Sequence, residues 1–132
     1  MSLFQLTDTL AVTAQITASD VSGLAAQGFT TVVCNRPDGE SPDQTGMAEI
    51  EAACEAAGIK FVRYPVTAMD FPGPDLPGLA AIFDDPEQQV LAYCRTGTRC
   101  ANLWVASRPA AEQSGAISAA RGIGFDLSMA VR

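Results

Sequence analysis

The sequence predicts an α/β fold, a four-stranded and mainly parallel sheet flanked by helices. Three observations lead there. Short β-branched and apolar runs alternate with segments whose apolar residues recur at helical spacing. Glycines stand where those helical segments end. Two consecutive helical segments come after the last strand-like run, with no convincing fifth strand behind them.

Leu10, Val12, Ala14 and Ile16 alternate with polar or small neighbours and read as the first strand. Thr17 and Asp20 form a capping-box-like pair, with Asp in place of Glu or Gln, and open a short helix that exits at Gly28. Residues 29–34 are apolar and β-branched, a buried strand. The polar stretch 35–44, with its Pro37-Asp-Gly turn, is a loop. Met47, Ile50, Cys54 and Ala57 mark the inner face of a helix that ends at Gly58. A third strand spans 59–66, and a Pro/Gly-rich loop covers 67–74. Asp75 is placed to cap a helix carrying Leu76, Leu79 and Phe83. The fourth strand is 90–93, and two more helices span 101–107 and 112–121, separated by Pro109.

One domain is expected from 132 residues, long enough to bury a core without metal or disulfide staples. Hydrophobic residues make up 48%, which suits a globular chain. Histidine is absent, so Ser-His-Asp catalysis, Cys-His proteolysis and histidine-ligated metal are excluded, and no metal or other cofactor is expected. Fifteen acids against eight bases argue against nucleic-acid or anionic-membrane partners. Neither a signal peptide nor a membrane-spanning run is visible, and the four cysteines form no C-x-x-C pair. Reduced thiols in a cytoplasmic protein are the expectation.

The informative segment is the fourth strand with the turn at its end. A buried strand delivers Cys94 to a tight polar turn, Arg95-Thr96-Gly97-Thr98, from which Arg99 opens a helix. Gly97 permits a positive φ, so successive amides can turn inward around an anion. The helix start adds unpaired N–H groups, and Arg99 adds a forked cation. A thiol there ionises early, because helix N-termini and arginines lower a cysteine pKa to about 3.5–7.5. Thiolate is the nucleophilic form, so no histidine base is required.

These residues resemble two known loops. Tyrosine and dual-specificity phosphatases place five residues between cysteine and arginine, whereas rhodanese sulfurtransferases have a shorter Cys-Arg-x-Gly-x-Arg. Four residues separate Cys94 from Arg99, matching the shorter form. The two consecutive helices after the loop instead resemble phosphatases. Together with Gln15, Val33-Cys-Asn-Arg36-Pro-Asp-Gly-Glu40, Tyr64-Pro-Val66 and Gly124-Phe-Asp-Leu127, the chain resembles the phosphatase-like domain family of β-lactamase-hydrolase-like proteins. That resemblance implies a phosphotyrosine-phosphatase-like fold and, as a partner, a persulfide dioxygenase. Cys100 departs from both loop types, where a serine would hydrogen-bond the thiolate.

Loop length bears on the chemistry. A phosphate monoester presents three terminal oxygens and needs a wide ring of donors, while a persulfide on Cys94 adds one diffuse charge that a smaller ring surrounds. Phosphatase action also needs an acid for the leaving oxygen. Asp70, in the loop after strand three, is the candidate, with a turn role as its rival. The first expectation is therefore a sulfurtransferase carrying sulfane sulfur from thiosulfate or a low-molecular-weight persulfide to a thiol acceptor. The alternatives are a phosphatase acting through a Cys94 phosphoenzyme and a thiol redox or sulfide-sensing module.

Arg95, Thr96, Gly97 and Thr98 are the expected binding residues for a small anionic substrate. Arg36 either joins them or pairs with Glu40 on the surface. Since Arg36, Arg63, Arg95 and Arg99 all lie within or just after strands, a small positive pocket in an acidic body is expected. Cys54 reads as core. Cys34 either packs in the core or neighbours Cys94 as one candidate resolving thiol. Cys100, at a helix start, is a candidate for a depressed pKa and is the other candidate resolving thiol, able to accept sulfur from Cys94 or to close a disulfide with it.

Overall fold

A computed structural model of the chain describes residues 1–131. Five strands form one sheet in the order β1-β2-β5-β3-β4: β1 (Phe4–Gln5), β2 (Leu10–Thr13), β3 (Thr31–Cys34), β4 (Lys60–Arg63) and β5 (Val90–Tyr93). All pairings are parallel except β1 with β2, where Phe4 faces Val12. The fifth strand corrects the expectation of four. Two residues are too few to show a period, and β1 exists only because β2 offers it an open edge.

β2, β3 and β5 are buried along their whole length. Helices cover both faces, which is why these strands are apolar or β-branched throughout instead of half polar. On one face α1 (Val21–Ala26) and α2 (Met47–Ala57) bring Val21, Leu24, Ile50 and Cys54 against Ala11, Val32, Leu91 and Tyr93. On the other, α3 (Leu76–Asp84), α4 (Thr98–Ala106) and α5 (Gln113–Ile123) bring Leu79, Phe83, Leu103 and Ala120 against Leu10, Val12, Val33 and Ala92. Burying each Leu, Val or Phe contributes about 1.5–3 kcal/mol.

Several boundaries differ from the sequence reading. The first strand stops at Thr13; Ala14 is exposed and Ile16 is buried beyond the ladder. α1 is preceded by a turn of 3-10 helix over Ala18–Asp20, where the Asp20 carboxylate accepts the Thr17 N–H at 2.8 Å. β4 stops at Arg63, and its exposed Lys60 and Arg63 guard an edge strand. The Asp75 cap is as expected, accepting the Gly78 N–H at 3.0 Å.

The topology sets the site. β5 lies between β2 and β3, so the carboxyl ends of both neighbours flank the point where the chain leaves the sheet after Tyr93. The Gln15 N–H donates to the Arg95 carbonyl at 3.4 Å, and the Asn35 N–H to the Tyr93 carbonyl at 2.9 Å. Gln15 and Arg36 thereby arrive at the Cys94 loop, at the end of a parallel sheet where ligands bind.

Candidate active site

α4 begins earlier than its apolar pattern suggests, at Thr98, so Arg99 and Cys100 occupy its first turn. Gly97 caps it in the left-handed region, at φ 89° and ψ −17°. A Cβ there would stand 3.4 Å from the Phe125 ring and 3.5 Å from the Thr13 carbonyl carbon, so both conformation and space favour glycine. The turn directs the Gly97 N–H to the Cys94 sulfur at 3.0 Å.

Cys94 is buried, 1% exposed, and yet its pKa falls to about 6. The chief cause is the side chain of Cys100 beside it. Burial opposes the shift, and the backbone amides of Cys100, Thr96 and Arg99 add to it. A thiol therefore does the work expected of a serine at this position. It has a cost for Cys100 itself: full burial, and then the neighbouring Cys94 sulfur, push its pKa well above the ordinary thiol value. This reverses the expectation of a depressed Cys100 pKa, because the amides at the helix start serve Cys94 and leave Cys100 beneath them.

The arginines are organised by one carboxylate. Glu40 accepts Arg99 Nη1–H at 3.0 Å and Nη2–H at 3.1 Å, and the same Oε1 accepts Arg36 Nε–H at 2.9 Å. Arg99, hydrogen-bonded first of all, then Arg36, holds the Glu40 carboxyl below the usual carboxylate range against a modest cost of burial. Arg99 Nη1 also donates to the Val66 carbonyl at 2.9 Å. Arg36 is 4% exposed and donates to Gln15 Oε1 at 3.1 Å and Ser41 Oγ at 3.3 Å. Its pair with Glu40 joins a buried guanidinium to a carboxylate of an exposed residue, so the surface pairing and the place in the site hold together.

A cavity of about 760 Å³ opens beside the loop, with Arg36, Arg95, Arg99, Glu40, Gln15 and Gln44 in its wall. Three of the four arginines grouped by the sequence reading meet there. Arg63 does not; it pairs with Glu51 at 2.8 Å on the edge of the sheet. Thr96 and Thr98 bond to each other through their hydroxyls at 3.0 Å and remain in the turn.

Asp70 is not in the wall. Its carboxylate accepts the Thr67 N–H at 2.6 Å and the Thr67 hydroxyl at 3.0 Å, and these bonds lower its pKa. Cys34 is in the strand beside β5 but on the opposite face of the sheet from Cys94, donating to the Arg36 carbonyl at 3.1 Å, and burial raises its pKa. Among the described residues no cluster of His, Cys, Asp or Glu could hold a metal ion. No helix of the described chain is long and apolar enough to cross a membrane.

Two supports escaped the sequence reading. Asn102 is fully buried in α4, donating to the Thr98 and Asp126 carbonyls, each at 2.8 Å, and accepting the Ala130 N–H at 3.0 Å. Glu40 was visible only as a partner four residues from Arg36. Its reach to Arg99 spans 59 residues and left no local signal.

The family described as the β-lactamase hydrolase-like protein, phosphatase-like domain, matches residues 2–121. The chain belongs to that phosphatase-like family. A β-lactamase hydrolase-like protein of Agrobacterium fabrum is 31% identical over 80% of the chain, and one of Xylella fastidiosa (strain Temecula1) is 29% identical over 99%. The chain matches only 24% and 31% of those relatives' lengths. Among solved structures, the Neisseria meningitidis protein nma1982, provisionally described as a phosphatase, is 38% identical with a TM-score of 0.81, covering 96% of this chain and 92% of that one. Tk-PTP in its active form shares the fold at 21% identity and a TM-score of 0.67, covering 91% and 83% of the two chains. The phosphatase-like fold is therefore as the residues suggested, with one strand more.

Proposed function

We propose that this member of the phosphatase-like family is a cysteine-dependent phosphoric monoester hydrolase working through a Cys94 phosphoenzyme. The observation that carries the reading is a thiolate with a pKa of about 6, held among inward amides beside an arginine whose outer edge is already anchored. Arg99 gives Nη1 and one Nη2 hydrogen to Glu40 and Val66, and its Nε–H and second Nη2–H have no protein acceptor among the described residues. That free edge suits two oxygens of a tetrahedral anion. The Cys94 sulfur attacks phosphorus, the ester oxygen leaves with the bonding pair, and water then cleaves the thiophosphoryl bond. The similarity to nma1982 and the family membership support this reading.

Sulfane-sulfur transfer is the second reading, and two observations favour it: the four-residue spacing of the loop and the site's acids. Glu40 is held ionised by two guanidiniums, and Asp70 is tied to Thr67 outside the cavity wall. Attack of Cys94 on thiosulfate forms a persulfide and releases sulfite, and a thiol acceptor then takes the outer sulfur; neither step needs a strong proton donor. A separate persulfide dioxygenase, the partner expected from the family resemblance, would be a fitting consumer of the product.

One comparison tests both. Wild type and Cys94→Ser are given p-nitrophenyl phosphate, and in parallel thiosulfate with glutathione. Cys94-dependent, vanadate-sensitive phosphate release supports the hydrolase. Sulfite release and a gain of one sulfur on Cys94, without phosphate release, would replace it with the transferase.

A further inference from the structure

We propose that this site takes a small, hydroxyl-rich phosphate monoester carrying a second anionic group, and that Arg95 binds that second group. The inference rests on the hydrolase reading and names the class of ester.

The wall of the cavity carries the argument. Besides its three arginines and Glu40 it consists of Gln15, Ser41, Asp43 and Gln44, so every side chain lining it among the described residues is charged or polar. Small-molecule sites more often set a few polar groups among apolar and aromatic side chains. The aromatic residues lie elsewhere: Tyr64, Phe83 and Trp104 in one core layer, Tyr93 in the other, and Phe71 in a separate groove. An aryl ester would set its ring against solvated amides and charges and bury little apolar surface there. Hydroxyls fit the same wall, because they exchange water for side-chain donors and acceptors. The volume of about 760 Å³ leaves room for a ligand well beyond the transferred phosphate.

The hydrogen-bonding groups still open show what is read. Gln15 Oε1 and Ser41 Oγ already accept from Arg36, and Glu40 holds both Arg36 and Arg99. Asp43 Oδ1 takes the Ser41 hydroxyl at 2.9 Å, and Gln44 gives an amide hydrogen to the Pro37 carbonyl at 2.9 Å. Asp43 Oδ2 and the second Gln44 amide hydrogen have no partner among the described residues. An acceptor and a donor in one wall match the donor and acceptor of ligand hydroxyls. Arg95 differs from the other two arginines. Its carbonyl accepts the Gln15 N–H at 3.4 Å, which ties its backbone to the end of β2. Its guanidinium has no hydrogen bond or ion pair among the described residues, and the residue is exposed at the cavity. With Arg99 given to the transferred phosphate, Arg95 is the cation left for a carboxylate or a second phosphate.

Affinity measured without turnover separates recognition from leaving-group reactivity. Full-length Cys94→Ser is titrated calorimetrically with benzyl phosphate, glucitol 6-phosphate and 6-phosphogluconate. The last two share a hydroxylated six-carbon chain and differ in a terminal hydroxymethyl against a carboxylate. Glucitol 6-phosphate should bind about fivefold more tightly than benzyl phosphate, and 6-phosphogluconate about fivefold more tightly again. Adding Arg95→Gln should bring the second ratio below about twofold, whereas Arg95→Lys should keep most of it. Equal affinities for the last two ligands, or a ratio that survives Arg95→Gln, would overturn the role of Arg95. Benzyl phosphate binding as tightly as glucitol 6-phosphate would overturn the hydroxyl-rich class, and no binding of any ester would overturn both. The three-ligand comparison decides without any change at Arg95, should that variant not fold. Failure of the hydrolase reading shows separately, as no Cys94-dependent phosphate release from p-nitrophenyl phosphate by wild type, and leaves the affinity ratios to decide the inference.

Discussion

Glu40 and Arg99 meet through two hydrogen bonds of 3.0 and 3.1 Å, although 59 residues separate them. The same carboxylate takes Arg36 at 2.9 Å. One acid therefore fixes two cations, one deeply buried and one with an edge turned to the site. A guanidinium held this way loses less freedom when an oxyanion binds, which is the advantage of a preorganised cation over a mobile one.

Replacing Glu40 with Gln should lower kcat/KM about tenfold, since Arg99 loses its charged anchor while the shape is kept. Steady-state kinetics on the better of the two substrate classes measures it, and an unchanged or raised kcat/KM would show that Glu40 is merely a competitor for the arginine. The Glu40 carboxyl is lowered in the folded state, so its stabilising pairing is present above the ordinary carboxylate pKa and lost as pH falls through the folded value. Acid unfolding of Glu40→Gln should accordingly show a weaker pH dependence below about pH 4.5 than wild type.

Thiolate absorbance and iodoacetamide trapping should both report a Cys94 midpoint near the value of about 6, and activity should rise through the same midpoint. Cys100→Ala should move that midpoint upward, and Cys100→Ser should restore it, because a hydroxyl can supply a polar hydrogen to the thiolate from the same place. Since the folded pKa lies below the ordinary thiol value of 9.0, Cys94 adds stability as pH rises from about 6 to 9. Equal midpoints in all three proteins would remove Cys100 from the site.

With Asp70 tied to Thr67 and absent from the cavity wall, Asp70→Asn should change kcat for p-nitrophenyl phosphate less than about twofold. Phosphate release should then depend steeply on the leaving group, with aryl esters far faster than alkyl esters. A large loss on substitution, together with disappearance of a basic limb in the pH profile, would instead identify Asp70 as the acid.

Asn102 joins α4 to the carboxyl-terminal segment through Thr98, Asp126 and Ala130. Asn102→Ala should cost about 3 kcal/mol in urea unfolding, because buried backbone groups on both sides lose their partners. A cost below about 1 kcal/mol would mean that the segment is held by Leu127 and its apolar neighbours alone.

Local chemistry made much of this legible. Gly58 and Gly97 do take positive φ, Asp75 does cap α3, and β5 occupies the four residues that read as the last strand. Such features depend on a few neighbouring residues, whose turn preferences, capping groups and periodicity are written side by side in the chain. β1 carries too few residues to show a period, and the apolar pattern of α4 begins at Ala101, after a first turn that includes Thr98 and Arg99.

The order of residues alone determined that a cysteine, a left-handed glycine and an arginine would share one strand-to-helix turn. Only the tertiary structure decided what surrounds them: β5 between β2 and β3, Glu40 astride Arg36 and Arg99, Cys100 against the Cys94 sulfur, Cys34 on the far face, and Asp70 outside the wall. The reason is physical. Backbone preference acts over a turn or two, whereas a pKa, an ion pair or a thiol's reach is set by atoms that strand pairing and burial bring together from opposite ends of the chain.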